Sequence, residues 1–112
     1  MNAALPRLTP DAALALLERQ GGARFVQVLA HGSLSVEMYR PVGTDMQQPH
    51  RQDELYVIVG GHGIFFDGER RRPFEPGEVL FVPAGREHRF ERFDEDFSAW
   101  VFLYGPPGGE PP

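Results

Sequence analysis

No cysteine occurs among the 112 residues of this chain, and no lysine either: all eleven basic side chains are arginine. These two absences exclude thiolate catalysis, disulfide framing, zinc held by sulfur, side-chain Schiff bases and a P-loop lysine. Any chemistry must fall to histidine, carboxylate, tyrosine, arginine or a bound ion. Long apolar runs are also missing: no segment approaches the roughly 20 apolar residues of a membrane span, and no basic segment precedes an apolar stretch at the amino terminus. The expectation is a soluble cytoplasmic protein with no membrane partner. A net charge of −5 argues against general affinity for nucleic acid or anionic lipid. Gly-rich phosphate loops, a nucleophile elbow and a dinucleotide fingerprint are absent too.

What is present suits short strands. Thirteen glycines, eleven prolines and nine phenylalanines fit strands joined by tight turns better than a helical bundle, and the length fits one domain with one modest core. Thr9-Pro10-Asp11, followed by Ala12 to Gln20 and a Gly21-Gly22 stop, reads as a short capped helix that packs outside the barrel or on a partner subunit. Strand candidates follow at Phe25 to Ala30, Ser33 to Arg40, Glu54 to Val59, Gly63 to Phe66, Glu69 to Arg72, Glu78 to Val82, His88 to Phe93 and Phe97 to Tyr104. Phe66-Asp67-Gly68-Glu69 is a hairpin signal, and Gly60-Gly61-His62-Gly63 marks a turn needing positive backbone angles. The chain therefore divides into 1–22, a segment with the helix, 23–104, the barrel domain, and 105–112, a Pro/Gly tail read as disordered.

Two groups of residues carry the chemistry. His50 and Glu54 stand with three residues between them in Gln48-Pro49-His50-Arg51-Gln52-Asp53-Glu54, and His88 follows Gly77, Pro83 and Gly85. An imidazole pair with one carboxylate is a ligand set for a divalent transition metal that keeps open coordination positions. The second group matches, without insertion or deletion, the second motif of the cupin superfamily, with Arg92 at its usual terminal Asn. The first cupin motif is matched by His50, Glu54 and Gly61; its first histidine position holds Gln48, and Gly43 lies one residue closer than the pattern requires. From Ser33 to Tyr104 the chain thus resembles a small single-domain cupin. The resemblance implies an all-β fold, a double-stranded β-helix or jelly-roll barrel with a short N-terminal helix, whose open end holds one metal. It does not imply a reaction, because the fold hosts oxygenases, isomerases, epimerases, decarboxylases and binding proteins.

Strand alternation would put Gln48, His50, Gln52 and Glu54 on one face and His88, Phe90 and Arg92 on another. His50, Glu54 and His88 are then the expected metal ligands for iron, zinc, manganese or nickel. Gln48 is the expected neutral, weaker fourth donor, preferred over Gln52 because the family places a ligand there. A similar Gln-x-His occurs in cupin-type phosphomannose isomerases, which use zinc, over only a few residues. Arg92, if inward, offers a fixed positive charge to an anionic ligand; if outward, it pairs with Glu91, Asp94 or Glu95. Tyr56 and Ile58 continue the inward phase of Glu54, which makes Tyr56 a candidate general acid. Glu37 shares a strand face with Tyr39 and is a base candidate if that face lines the barrel. Phe81, Phe90, Trp100 and Phe102 read as core. His31, His62 and Arg70-Arg71-Arg72 read as solvated surface.

The functional expectation is a metal-dependent enzyme acting on a small, anionic molecule by dioxygenase or by isomerase or lyase chemistry. The alternatives are a ligand-binding or sensing cupin, and a metal-free epimerase-type cupin in which a His and a Tyr do acid–base work. A single barrel with exposed strand edges is expected to pair as a homodimer.

Overall fold

A computed structural model describes residues 5–112; the first four residues of the expected amino-terminal segment lie outside them. The helix forms as its caps dictate. In α1 (Pro10–Glu18) the Thr9 hydroxyl accepts the Ala12 amide at 3.2 Å, and Pro10 opens the first turn where its missing N–H costs nothing. Its buried residues Ala13 and Leu17 pack on Val26 and Met38, outside the barrel. Among the described residues no helix is long and apolar enough to cross a membrane.

Eight strands follow among the described residues: β1 (Phe25–His31), β2 (Leu34–Tyr39), β3 (Asp53–Gly60), β4 (Gly63–Phe66), β5 (Arg71–Phe74), β6 (Val79–Val82), β7 (Arg89–Glu91) and β8 (Ser98–Tyr104). They form a five-stranded sheet in the order β1-β2-β8-β3-β6 and a three-stranded sheet in the order β5-β4-β7. The paired strands are antiparallel. This is the jelly-roll arrangement expected from the sequence.

Alternation sorts the side chains into two cores. Tyr39, Tyr56, Ile58, Val82, Ala99 and Val101 of the large sheet face Phe65, Phe74 and Phe90 of the small one, with Phe97 alongside. On the opposite face, Val26, Met38, Val28, Val59 and Trp100 lie beneath α1. Of the rings expected in the barrel core, Trp100 packs in the second core under α1, and Phe81 and Phe102 lie outside the barrel core. Leu55 is opposite both Phe81 and Phe102, one residue out of phase with Glu54 and Tyr56, so these rings take the outer face; Phe81 is 54% exposed.

Strand β5 begins two residues later than the composition suggests. The Asp67 carboxylate accepts the backbone amides of Glu69 and Arg70 at 2.9 and 2.8 Å, and the Asp67 amide bonds to the Arg70 carbonyl. An Asx-type turn therefore holds 67–70 and leaves Arg71 as the first residue free to pair. Those amides hold the half-buried Asp67 carboxyl below its ordinary value.

Two turns explain the second motif. Glu78 bonds back to Glu75 across Pro76-Gly77, and Arg86 bonds back to Pro83 across Ala84-Gly85. The third residue of each turn has positive φ, 91° at Gly77 and 78° at Gly85, a conformation that favours glycine. The second turn touches the first motif, because the Gly85 amide donates to the His50 carbonyl at 2.7 Å.

Between β2 and β3, residues 41–52 contain no strand. Bonds to the barrel hold this crossing segment: Arg24 Nη1 to the Val42 carbonyl at 2.6 Å, Gln52 Nε2 to the carbonyls of Ser33 and Gly105, and the Asp45 carboxylate to β2 and β7. Residues 105–112, read from composition as a disordered tail, contribute the Gly108 amide to the Arg51 carbonyl at 2.7 Å and the Glu110 amide to Asp53 Oδ2 at 2.8 Å.

Candidate metal centre

Glu54 is the second residue of β3, on its inner face and 0% exposed. His88 stands just before β7, in phase with core Phe90, and is buried. His50 comes from the 41–52 segment and keeps its side chain 33% exposed. Three separate parts of the chain thus deliver ligand atoms that all lie within 4.8 Å of one another. His88 Nε2 is 2.9 Å from Glu54 Oε1, and His50 Nε2 is 3.6 Å from Glu54 Oε2.

The electrostatics of this triad fit a cation. His88 Nδ1 lies 2.9 Å from the Arg86 carbonyl, and since a carbonyl only accepts, Nδ1 carries the proton and Nε2 of the neutral ring presents a lone pair. That lone pair faces a carboxylate oxygen. With His88 in that tautomer neither Glu54 oxygen has a hydrogen-bond donor, and a buried carboxylate without donors is strongly disfavoured. Either a proton on His88 Nε2 or a metal ion between the groups relieves the clash. Burial pulls the His88 pKa down, but the Glu54 contact and the Arg86 carbonyl outweigh it and leave the imidazole above its ordinary value.

Tyr56 shares the inner phase with Glu54, as expected. Its hydroxyl is 2.9 Å from His88 Nε2 and donates to Gln47 Oε1 at 3.0 Å; burial and the Glu54 charge raise its pKa well above the ordinary phenol value. Glu37 is half-buried, and burial, then repulsion from Glu54, raises its carboxyl pKa. The inner face of β2 is therefore the one carrying Glu37 and Tyr39.

Three expected site residues are placed elsewhere. Gln48 is exposed, and the amide in contact with the cluster is Gln47, whose Oε1 also lies 3.4 Å from His50 Nε2. Gln52 points away, to Ser33 and Gly105. Both corrections have one cause: strand alternation was carried into residues 48–52, which are not strand. The one-residue displacement of Gly43 from the family spacing was the available signal that this loop keeps its own register. Arg92 is exposed with φ 51°, so its charge does not enter the barrel; the residue ends β7 in a left-handed conformation. Asp45, which sequence reading passed over, is buried and accepts four hydrogen bonds.

With this geometry in view, a family profile for the cupin domain matches residues 35–103, a span that contains both motifs. The chain belongs to the cupin family. Among its relatives, the Streptomyces coelicolor protein SCO3923 is 36% identical over 85 residues, covering 74% of this chain and 80% of that one. The acireductone dioxygenase of Geobacillus thermodenitrificans is 35% identical over 66 residues, 54% of this cupin and 37% of the enzyme. In structure, a cupin 2 conserved barrel domain protein from Salinispora arenicola aligns with a TM-score of 0.67 over 93% of this chain and 91% of its own, at 21% identity, which supports the fold.

Proposed function

We propose that this cupin holds a divalent transition metal with His50, Glu54 and His88 and uses it to bind and transform a small molecule. The observation that carries this reading is Glu54: a fully buried carboxylate facing two imidazole nitrogens needs positive charge beside it, which a metal ion held between the three groups supplies. Three protein donors leave coordination positions free, and a bound iron, zinc, manganese or nickel ion would supply Lewis acidity or, for iron, oxygen chemistry. Around it, His88 is oriented through Arg86, Tyr56 holds its proton against a high pKa, and the exposed edge of His50 is where solvent and ligand approach.

Elemental analysis of protein purified without tag or chelator tests the assignment. About one metal ion per chain is expected, with loss of the ion in both His50→Ala and Glu54→Gln. Full retention in Glu54→Gln would remove that carboxylate from the centre.

One observation favours a second reading. The 2.9 Å contact between the Tyr56 hydroxyl and His88 Nε2 is an acid–base pair of the kind a metal-free cupin of epimerase type requires. Turnover that survives exhaustive chelation and is abolished by Tyr56→Phe would select it.

The homodimer belongs to the same proposal. Among the described residues strand β6 is an edge, paired only with β3, and its outer side chains Val79 and Phe81 are 62% and 54% exposed beside Leu55. A second copy laid on this strand would cover an apolar patch and the free edge together.

A further inference from the structure

The Gln47 amide is held in one orientation by the same carboxylate that ties the 41–52 segment to the barrel. Asp45 is buried. Its Oδ1 accepts the Tyr39 hydroxyl at 2.5 Å and the Gln47 backbone amide at 3.0 Å; its Oδ2 accepts the Phe90 amide at 2.8 Å and Gln47 Nε2 at 3.3 Å. Four donors converge on one carboxylate, so both oxygens are committed as acceptors. Rotating the Gln47 amide by half a turn would set Oε1 against Asp45 Oδ2, acceptor to acceptor, and turn Nε2 toward His50. Asp45 therefore compels Gln47 to show its oxygen to the cluster. That oxygen takes one bond from Tyr56 at 3.0 Å and lies 3.4 Å from His50 Nε2; when that nitrogen is unprotonated, as a metal ligand must be, the second lone pair of Oε1 is free.

From this we infer that Gln47 is the fourth side-chain donor of the centre, and that Asp45 is the positioning residue that presents its oxygen. The inference rests on the metal-centre reading and adds to it a ligand that the motif spacing does not point to. An amide oxygen is a neutral, weak donor; beside two neutral imidazoles and one carboxylate it leaves the ion a net positive charge and one readily displaced position. An anionic or oxygen-donor ligand, such as a carboxylate, an enediolate or dioxygen, is the class that such a position accepts in place of the amide.

Cobalt(II) titration of the full chain, followed by its visible absorption and by chelator competition, tests this with a readout independent of turnover. Gln47→Ala is expected to weaken binding about tenfold and to alter the cobalt spectrum, and Asp45→Asn to weaken it by a similar factor, within the 10–100-fold range typical of residues that orient a ligand. Because Asp45 acts through Gln47, the Asp45→Asn loss should vanish when Gln47 is already alanine. Equal additive losses in the double variant would make Asp45 a structural residue only, and an unchanged affinity and spectrum in Gln47→Ala would overturn the ligand assignment. Should Asp45→Asn not fold, NMR of the unsubstituted protein decides the orientation: contacts from the Gln47 side-chain amide protons to the Phe90 amide support it, and contacts to the Tyr56 and His50 rings overturn it. No cobalt binding by the unsubstituted protein would remove the metal-centre reading itself and this inference with it. Binding that is lost in Glu54→Gln but indifferent to Gln47 would overturn this inference alone.

Discussion

At Arg92 the backbone, and not the side chain, decides the residue's meaning. With φ 51° it sits in the left-handed region, where an L-residue costs roughly 1–2 kcal/mol and asparagine or glycine is favoured. Asparagine is the usual residue at this position of the family motif, and the turn geometry gives it a physical reason. Arg92→Asn is therefore expected to stabilise the protein by about 0.5–1 kcal/mol, measured as a higher urea midpoint, with metal content unchanged. A fall in the midpoint would mean that the exposed arginine makes a contribution its position does not suggest. Glu54 presents the opposite balance, a residue at odds with its apolar surroundings whose placement makes sense through what it can bind.

Among the elements, the segments without regular structure depend on single carboxylates. Asp45 ties the 41–52 segment to β2 and β7. Asp53, buried at the start of β3, ties the Ala84 amide at 2.9 Å and the Glu110 amide at 2.8 Å, so one side chain joins the motif turn to the carboxy-terminal segment. Removing it orphans two backbone donors. Asp53→Ala should cost about 2–4 kcal/mol, and hydrogen exchange should show Glu110 and its neighbours losing protection ahead of the rest of the barrel. Because the 83–86 turn carries the Gly85 bond to His50, metal affinity should fall with it; an intact affinity would mean the turn holds its shape without Asp53. At the other end, Gly61 lies against Phe97 so closely that an added Cβ would come within 2.4 Å of its Cα, which is why this position between β3 and β4 is glycine.

For the whole molecule, the buried charges set the response to pH. His88 and Glu37 both have raised pKa values, so the folded chain holds these protons more tightly than the unfolded one. The stability His88 contributes is full below about 6.5 and is lost as pH rises through its raised value; Glu37 lowers stability in the same sense from about 4.5 upward. Metal-free protein should thus lose stability as pH rises across this window. A metal ion needs the unprotonated imidazoles and reverses the trend, because binding releases protons. Denaturant titrations of chelated and metal-loaded protein over a pH series check both slopes, and parallel slopes would mean that His88 is not a ligand. Association is the second property at this scale. Phe81→Glu should shift the protein toward monomer in sedimentation velocity, with metal content retained, whereas an unchanged mass would place any dimer contact away from β6.

Most of the strands and the glycine turns were legible in the chain, because local rules decide them: apolar alternation, proline turns, glycine at positive φ. The cluster of His50, Glu54 and His88 was legible as well, since the motif spacing marks positions that the packing of the two sheets brings to one end of the barrel. What tertiary structure alone decided lies where local rules lapse. Outside a strand there is no period of two, so whether Gln47, Gln48 or Gln52 turned inward depended on the contacts Asp45 makes with β2 and β7, residues up to 45 positions away. Likewise the outer placement of Phe81 and Phe102 followed from pairing with Leu55. A strand's sequence says that its faces differ, and only its neighbours determine which face is inside.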